Sequence, residues 1–401
     1  MDHRKLVWPF SLYFLFYAGV ATHRPYLVLY YQSLSFTGAQ IGLLTGITPL
    51  ITLVSVPLIT GLADRTNKHR LVTGLSLLIL TLGLVVYPYF ETFAFIFCIT
   101  VLTTIFFSSI MPLSNSAAMF MLGDRKDLYG RVRLGGTIGF GAAATLAGAL
   151  VENYGLKIAF WSAAGIFLIA FLVGQKLVYE GGESEASTGR GRASELLKNP
   201  HFLLFLLIGF AGGISFATLN TYLFPYMKAL GARESMMGLA LTIGTLAEIP
   251  VLFFANHFLK RFKAYTLLVF SLAMTGLRFL LLAFVAQPIF VLFVQLLNGF
   301  NYPLLTVAGV TYADGQAPDG LRATAQGLFN ASMGGIGSAV GGFVGGLLFE
   351  HAGARGMYLI FSIFVALVLV LVSLLRRMLP PEKEERVVKK AMGISTNDSS
   401  I

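Results

Sequence analysis

Long apolar runs, one after another and separated by short polar breaks, fill almost the whole 401-residue chain and leave it few ways to fold. A helix that crosses a bilayer needs about 20 predominantly apolar residues, and most of these runs have that length. They cover residues 8–34, 39–63, 71–90, 93–122, 136–151 and 158–178. Beyond a polar stretch at 179–200 come 202–227, 235–259, 265–285, 289–312, 324–349 and 357–375. With 56% hydrophobic and 12% charged residues, the chain holds more apolar surface than one water-soluble core buries, so lipid is its expected solvent. The formal charge of +10 does not point to nucleic acid, because the basic residues sit between the runs rather than on a face of their own. The expected fold is all-α and polytopic: twelve transmembrane helices in two six-helix bundles.

Charge placement orients the bundle. With both termini in the cytoplasm, Arg65, Lys68, Arg70, Arg125, Lys126, Arg131, Arg133, Lys260, Arg261 and Lys263 fall in cytoplasmic loops, while Lys157, Lys228, Arg233 and Arg355 fall outside. The first run is too long for the apolar core of a signal peptide and lacks a small-residue cleavage site, so it reads as a retained helix. Cys98 is the single cysteine, which excludes an intrachain disulfide and a thiolate metal cluster. The expected organisation is a first bundle over 1–178, a cytoplasmic linker over 179–200, a second bundle over 201–378 and a flexible tail over 379–401. Mixed charge at 383–390 reads as a solvated segment that touches anionic lipid.

The two halves echo one another. Tyr26-Leu27-x-x-Tyr30 recurs as Tyr222-Leu223-x-x-Tyr226, and Gly42-Leu43 stands as far before Arg65 as Gly238-Leu239 before Arg261. Glu152-x-x-Gly155-x-Lys157-x-x-Phe160 returns as Glu350-x-x-Gly353-x-Arg355-x-x-Tyr358. Parallel six-helix repeats place a substrate site near the bilayer midplane, between the halves, so secondary transport of a small solute is the function this architecture implies. Small-residue runs on the fifth and eleventh helices, among them Gly135-Gly136 and Gly341-Gly342, suit close packing and sliding of helices.

The loop Gly61-Leu62-Ala63-Asp64-Arg65-Thr66-Asn67-Lys68-His69-Arg70 resembles the signature loop of the major facilitator superfamily, with Thr60 and Asn67 where glycines are usual. Three further motifs resemble its phenylpropionate-permease-like branch, near the lactose permease: Tyr129-Gly130-Arg131-Val132-Arg133-Leu134, Leu246-Ala247-Glu248-Ile249-Pro250 and Arg322-Ala323-Thr324-Ala325-Gln326-Gly327-Leu328. The resemblance covers essentially the whole chain. It implies a cytoplasmic gate in which Asp64 is the latch and Arg65, Arg70, Arg131 and Arg133 supply charge. Compared with the lactose permease, the proton-coupling positions of the tenth helix correspond to Gln295, Asn298 and Asn301, none of which can carry a proton. The ninth-helix arginine corresponds to Arg278, the eighth-helix acid stands one turn along as Glu248, and the sugar-binding acid of the fourth helix is replaced by Asn115.

An ionisable side chain at mid-bilayer costs a few kcal/mol or more, so each is a functional candidate. His23, Arg24, Glu248 and Arg278 are the clear cases. Arg24 stands about ten residues from the nearer helix end, roughly 15 Å, beyond easy snorkelling, and is expected to face a wet cavity. Glu248 and Arg278 lie roughly 18 and 22 Å from their cytoplasmic helix ends, close enough in depth to pair. A proton-coupling set of Glu248, Arg278 and His23 follows. The candidate substrate set is Arg24, Tyr26, Tyr30, Asn115, Asn220, Tyr222, Gln295, Asn298, Asn301 and Tyr302, since amides and tyrosines hydrogen-bond without the cost of a charge.

These readings converge on a proton-coupled symporter in a bacterial cytoplasmic membrane, acting as a monomer without cofactor or metal. Arg24 and Arg278 favour a carboxylate and the tyrosines an aromatic body. A sugar or nucleoside, an uncoupled facilitator and an exporter are the alternatives within transport, and a non-transporting receptor or assembly factor is the alternative outside it. No hydrolase or metalloenzyme motif is present, so an enzyme is not expected.

Overall fold

The computed structural model describes residues 4–125, 128–179, 193–318 and 320–379. The 383–390 segment, the tail beyond 379, Lys126 and most of the linker lie outside the described residues. The apolar runs become helices α1 (Leu6–Ser33), α2 (Gly38–Thr66), α3 (His69–Tyr89), α4 (Phe93–Leu122), α5 (Tyr129–Tyr154) and α6 (Lys157–Gly174). The second half repeats them as α7 (Pro200–Ala229), α8 (Glu234–Phe253), α9 (Ala264–Phe284) and α10 (Pro288–Gln316). A final apolar stretch, Arg322–Met378, is 57 residues long, roughly 85 Å as one helix, nearly three times a bilayer's hydrocarbon thickness. It is two crossings folded back at Gly353, where φ 68° and ψ 173° interrupt the helix. We call them α11 (322–352) and α12 (354–378), which makes twelve crossings.

Gly353 has a counterpart in the first half. Gly155, between α5 and α6, has φ 83° and ψ 174°, so the two glycines of the Glu-x-x-Gly repeat make the same reversal. That backbone region is essentially closed to residues with a Cβ, which explains why a glycine stands at both positions. Helix α5 begins at Tyr129 rather than near 136: Arg131 and Arg133 belong to its first turns and are exposed.

Each half is held by the same close packing. A Cβ placed at Gly139 of α5 would stand 2.2 Å from the Phe14 carbonyl oxygen of α1, and one at Gly341 of α11 would stand 2.3 Å from that of Ile214 on α7. Between the halves, α2 lies on α11 and α5 on α8. A Cβ at Gly42 would be 2.5 Å from the Phe343 carbonyl oxygen, and one at Gly238 would be 2.3 Å from that of Ala144. Hydrogen bonds reinforce both seams. Thr45 Oγ1 donates to the Gly342 carbonyl at 3.0 Å, and Thr242 Oγ1 to that of Gly141 at 2.8 Å.

The end of the bundle that carries the Arg- and Lys-rich loops is built differently. A Cβ at Gly61, Gly130, Gly327 or Gly334 would meet nothing within 4 Å, and Arg131, Arg133 and Arg322 are exposed. The contacts named between the halves therefore lie toward the end bearing Gly155 and Gly353, which is the sealed end.

Because Gly42 has no room for a side chain, Gly42→Leu should cost the sealed state about 1–3 kcal/mol of overpacking. Double electron–electron resonance between spin labels at residues 37 and 351 is then expected to show a new, longer distance. An unchanged distribution would mean that this seam does not set the conformation.

Candidate functional site

Helix α10 does not run as a regular α-helix. Residues Gln295–Phe300 wind as a 3-10 helix, and Asn301 leaves the helical region with φ −90° and ψ −97°. Pro303 explains part of this, since proline has no N–H to donate and restricts the residue before it. A 3-10 helix has three residues per turn, so side chains three apart eclipse one another. Gln295, Asn298 and Asn301 consequently form one row of amides facing the same way. The Ser271 hydroxyl on α9 donates to the Asn301 carbonyl at 2.6 Å and satisfies a backbone group that the distortion exposes.

This row receives Arg278, which is only 4% exposed. One arm of its guanidinium donates to Asn298 Oδ1 at 2.5 Å and the other to Gln295 Oε1. Asn298 then passes the contact on: its Nδ2 donates to Glu248 Oε1 at 2.7 Å and to the Gly244 carbonyl at 3.3 Å. The expected direct pair of Glu248 and Arg278 is thus not formed. An amide stands between the two charges, accepting from the cation and donating to the anion, and so satisfies both. Hydrogen bonds to charged groups are worth about 1.5–3 kcal/mol each, enough to offset much of the cost of holding an arginine there.

Beside the relay lies a narrow cavity of about 10 Å³, room for about one water, lined by α7, α9 and α10, with Asn220, Thr275, Arg278, Asn298, Asn301 and Tyr302 as its polar wall. Phe216 and Tyr302 stack at 4.1 Å between ring centroids and form its aromatic wall. Three buried polar atoms on its lining residues have no partner in the protein: Arg278 Nε and both side-chain atoms of Asn301. Buried polar groups are normally paired, so these three are the atoms of the recess whose hydrogen-bonding capacity the protein itself leaves unfilled.

Across the interface, α1 is interrupted by a 3-10 turn at Arg24–Tyr26, where Pro25 cannot continue the α-helical ladder. Arg24 is exposed, with its guanidinium 4.6 Å from the centre of the Phe107 ring on α4. The rest of the sequence-derived set is dispersed. Asn220 is exposed, its Nδ2 donating to the Phe216 carbonyl at 2.9 Å. Asn115 is tied into a knot near the basic end, accepting from the Tyr13 hydroxyl and, at 3.4 Å, from that of Tyr129.

Tyr26, Tyr30 and Tyr222 are not cavity residues in this conformation. Tyr26 packs on Phe224 of α7 and Tyr30 on Phe160 of α6. The Tyr222 hydroxyl donates to the Gly342 carbonyl at 2.5 Å, beside Thr45. Tyr26 and Tyr222 belong to the seal, and Tyr30 packs within its own half. His23 faces the interior of its own half, with Nδ1 2.7 Å from the Gly19 carbonyl oxygen and its ring edge-on to Phe167, so it is separate from the Glu248 relay. At the basic end Asp64 bonds to His69 Nε2 at 2.7 Å, while Arg70 donates to the Leu177 carbonyl at 2.8 Å. Asp64 is therefore held by its own signature loop, and Arg65, Arg131 and Arg133 are exposed.

Residues that the sequence did not single out complete the picture. Phe107, Phe216 and Thr275 line or face the polar region, and Glu152 accepts from the Ser235 backbone N–H at 3.1 Å across the seal. Glu350 holds the equivalent place by symmetry, its Oε2 lying 2.7 Å from where a Cβ at Gly38 would be. Only Glu152 and Glu350 carried a signal, the Glu-x-x-Gly repeat.

Residues 7–360 match the MFS_1 like family, and the chain belongs to that family, within the major facilitator superfamily. It is a multi-pass integral membrane transporter. The maltose permease of Geobacillus stearothermophilus is 29% identical over 379 residues, covering 93% of this chain and 95% of the relative. The xanthosine permease of Escherichia coli strain K12 is 23% identical over 378 residues, covering 88% and 89%. The crystal structure of the nucleoside transporter NupG superposes with a TM-score of 0.81 at 18% identity, covering 93% of this chain and 98% of that one. A bacterial homologue of the human lysosomal transporter Spinster, in its inward-facing and unoccupied conformation, gives 0.70 at 16% identity, covering 94% and 98%.

Removing the bridging amide leaves a buried cation and a carboxylate each short of a partner. Asn298→Ala should lower stability by about 1–3 kcal/mol, read as a fall in melting temperature of the detergent-solubilised protein. Asn220→Ala, at an exposed position, should leave that temperature unchanged.

Proposed function

We propose that this transporter moves a neutral, hydroxyl-rich solute of sugar or nucleoside size, with protons as the driving ion, by alternating access. The observation that carries the reading is the pair of amides Asn298 and Asn301 lining the recess beside the stacked Phe216 and Tyr302. Amides donate and accept at once, as hydroxyl groups require, and an aromatic face suits a sugar ring or a base. Two of the five N–H donors of Arg278 are taken by the oxygens of Asn298 and Gln295. The names of the relatives, maltose permease, xanthosine permease and NupG, point the same way.

An aromatic carboxylate is the second reading, as in the phenylpropionate-permease-like branch, and one observation favours it. Arg24 is an exposed cation lying on an aromatic ring, an arrangement that would hold an aromatic acid.

Coupling is assigned to Glu248 acting through Asn298. A solute hydroxyl that claims the Asn298 amide takes a hydrogen bond from Glu248, and a carboxylate stripped of its donor in apolar surroundings must be neutralised. Taking up a proton does so. With both termini in the cytoplasm, the basic end is cytoplasmic, the sealed end faces outward and the conformation is inward-facing. Residues 1–178 and 201–378 then rock about the site as two bodies. The signature loop acts as the cytoplasmic gate when Asp64 exchanges His69 for arginines of the opposing helices. His23 serves packing within its half.

Uptake into proteoliposomes of maltose, xanthosine and an aromatic carboxylate, with and without an inward proton gradient, tests the reading. Gradient-driven accumulation of the sugar or nucleoside is expected; accumulation of the carboxylate alone would establish the second reading. Glu248→Gln should abolish accumulation against a gradient while leaving equilibrium exchange of the same solute. Accumulation that survives in Glu248→Gln would remove this residue from the coupling.

A further inference from the structure

At the basic end, on the outer surface of the first half, α3 and α6 diverge around a groove of about 750 Å³. Its two ends differ in chemistry. One is polar and cationic, formed by Asn67, Lys68, His69, Arg70, Gln175 and Tyr179; the other is apolar, formed by Leu71, Leu75, Leu78 and Phe171. From Arg70 to Leu78 the groove follows α3 for roughly 12 Å. Gly74 forms its floor, where a Cβ would come 2.8 Å from Gln175 Nε2. Leu71 and Leu75 are 60% and 47% exposed, facing away from the substrate cavity, so in a membrane the groove opens to lipid.

We propose that this groove is a binding site for an anionic glycerophospholipid, its phosphate held by Lys68 and Arg70 and one acyl chain laid along Leu71, Leu75 and Leu78. The position of each group favours this occupant. Arg70 is fixed at the rim by its bond to the Leu177 carbonyl, and its remaining N–H donors form the fork that suits a phosphate. Among the described residues, the carboxylate of the signature loop, Asp64, is bonded to His69, whose ring stacks on Tyr179 at 5.8 Å. Arg65 and Lys176 add positive charge at the same end. A helix end with cations followed by an apolar channel reproduces, in order, the headgroup and the chain of a lipid entering from that leaflet. The site rests on membrane embedding alone and is independent of the substrate reading.

The test is native mass spectrometry of the full-length protein, loaded with equal amounts of phosphatidylglycerol and phosphatidylcholine of matched chains. Two cations at about 1 kcal/mol each predict retention of the anionic lipid by about 30-fold over the zwitterionic one. In Lys68→Gln/Arg70→Gln that preference should vanish while a neutral lipid still binds, and Leu75→Trp, which fills the channel, should weaken both. Glycerol 3-phosphate should not displace the lipid; full displacement would make the site a free-phosphate site and overturn the proposal. Equal retention of the two lipids, or a preference unchanged in the double variant, would overturn it as well. Should the variants fail to fold, photoreactive phosphatidylglycerol on the wild-type protein decides: labelling within residues 67–78 or 171–179 is expected, and labelling confined to other segments would refute the site.

Discussion

A peptide group in hydrocarbon has no water to bond with, and this constraint governs the whole molecule. It forces each apolar run into a helix that satisfies its own backbone. It also makes every departure from the α-helix informative, because a freed carbonyl or N–H needs another partner. Three departures fall inside the spans, at Arg24–Tyr26, at Gln295–Asn301 and at the π-helical Ala331–Gly337, and a further 3-10 turn, Tyr87–Tyr89, only ends α3. Side chains repair them: Ser271 bonds to the Asn301 carbonyl, and Ser338 to that of Met333 at 3.0 Å. Two of the three departures carry the polar residues of the candidate site, and the third lies where α11 leaves its contact with α2. There a Cβ at Gly335 would stand 2.2 Å from the Leu53 side chain. Irregular backbone is thus concentrated where the protein lines a cavity or must bend.

The second organising feature is the repeat. Gly155 and Gly353 reverse the chain in the same way, and Glu152 and Glu350 each reach the first turn of a helix in the opposite half. A carboxylate is favoured at a helix N-terminus, where N–H groups are unpaired. Each half therefore contributes an acid to the other half's helix, and the seal is closed twice by one device. The seams behind it are glycine against backbone, which permits close contact without interlocking side chains. Such a contact can separate without dragging a packed core apart, as alternating access requires.

Much of the site was legible in the residues, but not its wiring. Glu248, Arg278, Gln295, Asn298 and Asn301 all stand out as polar groups in apolar runs, and they do come together. The partner of each did not follow from depth along the helices. Glu248 and Arg278 were close enough in depth to pair, yet Asn298 occupies the space between them, because the 3-10 winding of α10 rotates that residue into line. Tyr26 and Tyr222 pack in the seal and Tyr30 within its own half for a similar reason: how far a helix is turned about its axis depends on what packs against it. A lipid-embedded helix is apolar on nearly every side, so its sequence carries little record of that rotation.

What the sequence determined by itself is therefore whatever depends on the bilayer as solvent. The length and number of the apolar runs, the sorting of charge to one end, the duplication of the halves and the identity of the costly polar residues all follow from transfer out of water. Tertiary structure alone decided which end is sealed, which amide stands between cation and anion, and that Asp64 bonds to His69 rather than to an arginine. The first two rest on contacts of a few ångströms between helices far apart in the chain and the third on a choice of partner within one loop, and hydropathy, a property of each segment taken singly, encodes none of them.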